Sequence, residues 1–284
     1  MLDKRIFALL LVIATATTAT AQSWEEAASM PGPGRHHAVT FSLGGYGYAA
    51  TGTTPTQGIT DDFYRYDPIA DSWTVLPDFP GPDRSYAYGG AFNGKGYLGF
   101  GIGGVYLADL WQYDPGTMAW TALAPLPGPG RTHPAFVITG DGKIFVGMGG
   151  GAGGNLKDWY EYDIADNAWI RKADLPGPAR HHPYYFNLGN YPYVGLGHGA
   201  GAFRDFYRFD PDNNIWTRLT DFPGEGRVGG TQFSFGVEGF IASGLDAGDQ
   251  PLDTGEFWEY QPTDDSWTQL TPHPGSGRWA PGPS

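Results

Sequence analysis

Six arginines recur at one position of a repeated segment, and arginine in this pattern suits the binding of an anion. Each segment runs from a Trp to a Pro-Gly pair that begins seven residues later, and then to an Arg eleven residues after the Trp. The arginines are Arg35, Arg84, Arg131, Arg180, Arg227 and Arg278. A guanidinium group presents a rigid fork of donors that fits a carboxylate, sulfate or phosphate. If these side chains surround one opening, they form a basic ring in a chain of formal net charge −13.

A structural role is the alternative for the same arginines. An acidic residue stands eleven positions before five of the Trp residues, at Asp62, Asp109, Asp158, Asp205 and Glu256. Arg and acid therefore recur in step, as they would if each Arg formed an ion pair that joined one repeat to the next. The pattern leaves both roles open.

Histidine accompanies arginine in three of the repeats. It stands two positions after the Arg, at His37, His133 and His182, and these residues and the six arginines are the predicted ligand-binding set. Residues two apart on a strand share a face, so each His is expected to point with its Arg and to add positive charge below about pH 6.5. The adjacent residues His36 and His37 face opposite sides of a strand and make a poor chelate. We therefore expect no metal site and no cofactor.

The elements that position these residues are short strands in a repeated unit. The Trp residues are 47 to 51 positions apart, a period typical of radially repeated β-proteins. Within a unit, the Arg leads directly into a first strand, a second strand ends in Gly, a third carries aromatics at alternate positions and a fourth carries the Trp. The units span about residues 35–76, 84–123, 131–172, 180–219 and 227–270. Five complete four-stranded units predict an all-β propeller.

Parts of a sixth unit stand on either side of the five complete ones. Residues 22–30 include Trp24 and match a fourth strand, and residues 274–284 match the opening of a further unit. Propellers often close a split blade by pairing an N-terminal strand with C-terminal ones. We favour a six-bladed propeller that is C-terminally incomplete in this sequence. Five closed blades with both tails outside them are the alternative.

The first 21 residues have the pattern of a secretory signal peptide. Lys4 and Arg5 precede an apolar run over residues 6–14, and small residues lead to Ala21. This pattern predicts cleavage near Ala21 and export to the periplasm, the cell surface or the medium, with a mature propeller domain over residues 22–284. No second apolar run approaches the roughly 18 residues of a membrane span. The acidic charge disfavours nucleic acid as a partner, and the absence of Cys excludes disulfides and thiolate metal sites.

The internal landmarks of each unit carry a resemblance to a known family. Glycine-ended second strands, a Tyr-Asp-Pro sequence such as residues 113–115, and a Trp six residues after that Asp resemble kelch repeats. The resemblance covers essentially all of the mature chain and is nearest to secreted bacterial kelch-repeat proteins. It implies a β-propeller of the galactose oxidase central-domain-like superfamily, in which the first strand of each blade lines the central channel. The arginine ring is then expected at one mouth of that channel.

Two classes of function follow from this resemblance. The first is a secreted, non-catalytic binding module that takes an anionic carbohydrate or a protein partner at the channel mouth. The second is an enzyme that resembles galactose oxidase or N-acetylneuraminate epimerase. The copper site of galactose oxidase needs a tyrosine cross-linked to a cysteine, and this chain has no Cys. An arginine ring suits a sugar acid, so the epimerase is the alternative to the binding module that we favour.

The aromatic residues fall into two groups. The Trp that recurs once per unit is interpreted as core between blades. Tyr106 instead lies in a loop, where specificity for a ligand is expected to vary. The other loops in which we expect specificity connect second and third strands, over residues 53–60, 150–156, 198–204 and 245–254.

Overall fold

The computed structural model describes residues 26–248, 250–252 and 256–272. Within these ranges the chain forms strands and no helix, and therefore no helix that is long and apolar enough to cross a membrane. The strands form five antiparallel sheets of four strands each and one short two-stranded hairpin. The five sheets are the blades of a β-propeller. The all-β prediction of five complete four-stranded blades is confirmed.

Each blade runs in chain order from an innermost first strand to an outermost fourth strand. Blade one comprises β1 (Val39–Leu43), β2 (Tyr46–Thr54), β3 (Gly58–Asp67) and β4 (Ser72–Leu76). Blade two comprises β5 (Tyr88–Phe92), β6 (Lys95–Gly99), β7 (Leu110–Asp114) and β8 (Ala119–Ala122). Blade three comprises β9 (Ala135–Ile138), β10 (Lys143–Gly147), β13 (Trp159–Asp163) and β14 (Ala168–Lys172), with the hairpin β11 (Gly150–Gly151) and β12 (Gly154–Asn155) between β10 and β13.

The last two blades have the same order of strands. Blade four comprises β15 (Tyr184–Leu188), β16 (Tyr191–Gly195), β17 (Phe206–Asp210) and β18 (Ile215–Arg218). Blade five comprises β19 (Thr231–Phe235), β20 (Glu238–Ala242), β21 (Phe257–Gln261) and β22 (Ser266–Leu270). The first strands pack side by side from β1 through β5, β9 and β15 to β19 and line the central channel.

Aromatic side chains at alternate positions of the third strands form much of the core between blades. Tyr113, Tyr162, Phe209 and Tyr260 are at most 2% exposed. Their ring contacts cross from blade to blade, and the ring centre of Phe63 in blade one lies 4.8 Å from that of Tyr113 in blade two. Each blade therefore buries its apolar face against its neighbour, which is why the aromatic pattern recurs with the period of the fold.

The repeated Trp residues join the outer strands of neighbouring blades. The indole N–H groups of Trp73, Trp169, Trp216 and Trp267 donate to the carbonyls of Ala28, Ala124, Ala173 and Thr220 at 2.8, 2.8, 2.9 and 3.3 Å. In blade two, the indole nitrogen of Trp120 has no hydrogen-bond partner among the described residues. In four of the five blades the repeated Trp is thus hydrogen-bonded to the chain segment that precedes the blade.

The chain before blade one provides the first of these contacts. Ala28 accepts a hydrogen bond from Trp73, and its N–H donates to Asp71 Oδ1 at 2.7 Å. Ala124 makes the same pair of contacts with blade three. Residues 26–30 therefore lie where the end of a preceding fourth strand would lie. The signal peptide over residues 1–21, Trp24, Arg278 and the predicted opening of a further unit at 274–284 fall outside the described residues.

Candidate functional site

The arginines of the five blades form buried ion pairs. Both terminal nitrogens of Arg84, Arg131 and Arg180 donate to the two carboxylate oxygens of Asp109, Asp158 and Asp205, at 2.6 to 2.8 Å. Arg35 pairs in the same way with Asp62, and Arg227 donates to Glu256 at 2.5 Å. Four of the side chains are fully buried, and that of Arg35 is 4% exposed. The pairing predicted as the structural alternative is present.

Further contacts use the remaining surface of each guanidinium group. In every blade the Nη1 of the Arg also donates to the carbonyl of the residue before a glycine of positive φ that lies near the end of the second strand, as Arg84 does to Phe100 at 3.1 Å. An aromatic ring covers the group, with the Arg84 carbon centre 4.7 Å from the ring centre of Phe79. Because these donors are used inside the blades, the arginines do not present an open anion-binding ring in the described part of the chain.

The arginines join neighbouring blades through their backbone rather than through their side chains. Each ion pair lies within one blade, because Arg and acid flank the first two strands of the same unit. The carbonyl of Arg131 instead accepts a hydrogen bond of 2.8 Å from the N–H of Gly101 in blade two. Gly101 has a φ of 90°, and a Cβ there would lie 2.4 Å from the carbonyl oxygen of Ser85. A glycine is therefore required where the two blades meet.

The residue two positions after each Arg does not lie on a strand. These residues are His37, Tyr86, His133, His182 and Gly229, and their φ values are 50° to 66°. This left-handed conformation interrupts the extended backbone. The first strands therefore begin three residues later than predicted, four residues after the Arg instead of directly after it. The expectation that His and Arg share a strand face therefore fails. The Arg side chain points into its blade, and the His side chain points towards the propeller axis.

Three histidines from different blades meet at the axis, and we call His37, His133 and His182 the histidine cluster. The ring centres of His133 and His182 are 3.5 Å apart, and the ring centre of His37 lies 5.1 and 5.8 Å from them. One ring nitrogen of each residue lies within 4.8 Å of those of the other two. The side chains are only 6 to 9% exposed. Tyr86, from blade two, contacts the rings of His37 and His133 at 4.4 and 4.5 Å.

More histidines surround this cluster on the end of the propeller that carries the loops between second and third strands, which we call the loop face. His36 Nδ1 lies 2.6 Å from His37 Nδ1. The ring of His181 lies 5.0 Å from that of His182 and 5.3 Å from that of His198. Six of the seven histidines of the chain are thus gathered at one end of the channel.

The sequence indicated His37, His133 and His182 as candidate ligand-binding residues, but it did not predict that their rings meet, because a metal site was judged only on the adjacent pair His36 and His37. His36 and His37 are not a chelate, but His37 meets residues almost 100 and 150 positions away. The recurrence of His at one repeat position indicates this contact once it is combined with the geometry of the fold. In a propeller, equivalent residues before the first strands converge on the axis.

Burial keeps the histidine cluster neutral. It lowers the pKa of His37 to about 3, with a further contribution from His36. Burial and then the neighbouring imidazoles hold the pKa values of His133 and His182 well below the ordinary 6.5. The three rings therefore stay uncharged where an ordinary histidine is protonated, and burial opposes the gain in charge that we expected from the sequence.

Two carboxylates of the ion pairs should make folding stability sensitive to acid. Burial would raise the pKa of Asp62 and Glu256. Hydrogen bonds from the paired arginines and from other neighbours, together with the charge of Arg35 and Arg227, outweigh burial, so both pKa values lie below the ordinary 3.8 and 4.5. A lowered folded-state pKa contributes stability that is complete above the ordinary value and is lost as pH falls through the lowered one. We expect the free energy of unfolding, measured with urea at a series of pH values, to fall below about pH 4.5. A free energy that stays constant or rises in acid would contradict this expectation.

A cavity of about 660 Å³ opens on the loop face between blades two and three. Val105 and Tyr106 border it, and they are 65% and 39% exposed. The opposite wall belongs to the loop that carries β11 and β12, and ends at Leu156. The other lining residues are Gly104, Pro129, Gly130, Gly151, Ala152 and Gly153. The wall therefore combines the ring of Tyr106 with apolar side chains and four glycines.

Comparison with known proteins identifies the fold and no more. No family model matches the chain, and no curated protein matches it. Among solved structures, the chain is similar to one described as "Structure of YjhT", with a TM-score of 0.78 and 19% sequence identity. The similarity covers 90% of this chain and 89% of that one. At this identity it shows a shared β-propeller fold, and the function has to be argued from the site.

Proposed function

We propose that the protein is a non-catalytic binding module that takes a carbohydrate on its loop face. The observation that carries this proposal is the cavity between blades two and three, with the partly exposed ring of Tyr106 at its edge. Its volume of about 660 Å³ lies in the range typical of small-molecule sites. The kelch resemblance of the sequence is consistent with such a module.

The chemistry of the cavity suits a sugar ring. The apolar face of a sugar packs on an aromatic ring, and Tyr106 offers both a ring and a hydroxyl group. Sugar hydroxyl groups need donors and acceptors at close range, which would come from the hydroxyl group of Tyr106 and from the main chain of the glycine-rich walls.

The arginines take a structural role in this proposal. Their guanidinium donors are used by the carboxylates of the same blade, and four of the five described side chains have no exposed surface. An acidic sugar would also need a cation, and the candidate is Lys157, which is exposed and follows the lining residue Leu156 in the sequence. Both neutral and acidic sugars therefore belong in the search for a ligand.

Replacing Tyr106 with alanine is expected to weaken carbohydrate binding at least about tenfold, which equals about 1.4 kcal/mol. Thermal-shift screening against neutral, uronic, sialic and sulfated oligosaccharides would select the ligand, since a bound ligand stabilises the folded state. Calorimetric titration of the selected sugar would then compare the wild type with Tyr106→Ala. The unfolding temperature of the variant should change little, because the residue lies in a loop and is partly exposed.

Tyr191→Ala is the matched control for this experiment. Tyr191 is also 39% exposed, but it begins β16 at the end of the propeller opposite the loop face. Its replacement should leave the affinity unchanged. Equal losses in the two variants would contradict the proposed site, and a panel without any ligand would favour a protein partner. Accelerated anomer exchange of the selected sugar, followed by NMR, would instead assign the epimerase function.

A further inference from the structure

We propose that the histidine cluster binds one divalent transition-metal ion at the axis of the propeller. His37, His133 and His182 come from blades one, three and four, and each would supply one ring nitrogen. This site is separate from the carbohydrate cavity, and the proposal does not depend on carbohydrate binding.

The distances allow the three nitrogens to reach one ion. A four-coordinate zinc with Zn–N bonds of about 2.0 to 2.1 Å holds its ligand nitrogens about 3.4 Å apart. In the structure one nitrogen from each histidine lies within 4.8 Å of the others, and the rings of His133 and His182 are already in contact at 3.5 Å. Side-chain rotations that move the nitrogen atoms by about an ångström are therefore enough for all three to coordinate one ion.

Buried nitrogens at this site lack other partners. Among the described residues, neither ring nitrogen of His182 has a hydrogen-bond partner, nor has Nε2 of His133. Both side chains are more than nine-tenths buried. A buried polar group without a partner is unfavourable, and coordination to a metal would remove that cost. The uncharged state of these imidazoles is also the form that binds a metal.

A neighbouring histidine orients the third ligand. His36 Nδ1 lies 2.6 Å from His37 Nδ1, so one of the two rings donates to the other. We assign Nε2 as the ligand atom of His37 because Nδ1 makes this contact. Histidine ligands in metal sites commonly have such an outer partner at the second ring nitrogen. His36 is partly exposed, so the group of imidazoles extends from the axis towards solvent.

The type of ligand selects the class of metal. Three neutral imidazoles suit Zn²⁺, Cu²⁺, Ni²⁺, Co²⁺ or Fe²⁺, whereas Ca²⁺ and Mg²⁺ require oxygen ligands. Blade five carries Gly229 at the repeat position that holds His or Tyr in the other four blades. Gly229 has no side chain to act as a fourth ligand, so the fourth coordination position would be left for water or another small ligand.

Titration of the full mature chain with Zn²⁺ and with Co²⁺ tests this proposal. We expect calorimetry to show one Zn²⁺ per chain at neutral pH, and bound Co²⁺ to show the visible absorption bands of a low-coordinate nitrogen site that Zn²⁺ abolishes. His133→Asn and His182→Asn should each raise the dissociation constant for Zn²⁺ at least about 100-fold. Asparagine is chosen because it tolerates the left-handed backbone at these positions.

His198→Asn is the matched control, because His198 lies on the loop face outside the cluster and contacts His181. Its affinity for Zn²⁺ should equal that of the wild type. The proposal is overturned if the wild type binds no Zn²⁺ at millimolar concentration, or if the His133 variant binds as tightly as the control. Titration of the wild type decides the question even if a cluster variant fails to fold.

Discussion

Replacing Arg131 with alanine is expected to lower the free energy of unfolding by about 3 to 5 kcal/mol. The Arg131 side chain is fully buried, and its terminal nitrogens donate to both oxygens of Asp158 at 2.6 and 2.8 Å. Removing the cation leaves a carboxylate that is only 13% exposed without its partner. Urea unfolding followed by tryptophan fluorescence measures the loss.

Two further variants separate the ion pair from general effects of arginine. Arg218 pairs with Asp221 at 2.6 Å, but its side chain is 56% exposed, so Arg218→Ala should cost less than about 1 kcal/mol. The double variant Arg131→Met with Asp158→Leu should be more stable than Arg131→Ala, since no charge is left buried alone. If Arg131→Ala is as stable as Arg218→Ala and loses affinity for anions, the anion-binding role of the arginines is correct after all.

Replacing Trp159 with alanine is expected to cost about 3 to 5 kcal/mol of folding free energy. Trp159 is fully buried at the start of β13. Its ring stacks on that of Phe145 in the same blade and contacts that of Trp216 in blade four. The distances between ring centres are 5.8 and 5.2 Å. Alanine would leave a cavity in the interface between these blades, and denaturant unfolding would measure the effect.

Phenylalanine at the same position provides the control. Blades one, four and five have Phe63, Phe206 and Phe257 at the equivalent repeat position, so the site accommodates that ring. The indole nitrogen of Trp159 has no hydrogen-bond partner among the described residues, so Trp159→Phe forfeits no hydrogen bond there. We expect Trp159→Phe to cost less than about 1.5 kcal/mol. If Trp159→Phe lost as much folding free energy as Trp159→Ala, packing of an aromatic ring between the blades would not be what Trp159 contributes.

The fold was predictable because the apolar pattern and the blade contacts have the same period. One blade buries its aromatics only against the next, so residues such as Tyr113 and Tyr260 must recur at a fixed spacing. The ion pairs were predictable as one of two alternatives, because Arg131 and Asp158 recur in step with the other pairs. The sequence did not predict that each ion pair lies within one blade, because spacing alone does not show which neighbours a side chain reaches.

The candidate site was only partly predictable. Tyr106 could be selected as an aromatic in a loop, but its cavity depends on how the loops of two blades approach one another. The histidine cluster depends on left-handed backbone at His37, His133 and His182, which turns them from the strand towards the axis. Histidine is among the residues that adopt this conformation more readily than most, but no local sequence pattern marks it. The radial arrangement of the blades then brings the three together.

Hydrogen–deuterium exchange with and without bound carbohydrate is the most direct test of the proposed binding module. The probe is the oligosaccharide that gives the largest thermal shift in the panel. We predict slower amide exchange in the loops over residues 100–109 and 149–158, which surround Tyr106, and unchanged exchange in the turns over 43–46 and 188–191 at the opposite end. Protection confined to that opposite end, or the absence of any carbohydrate that changes exchange, would contradict a carbohydrate site on the loop face.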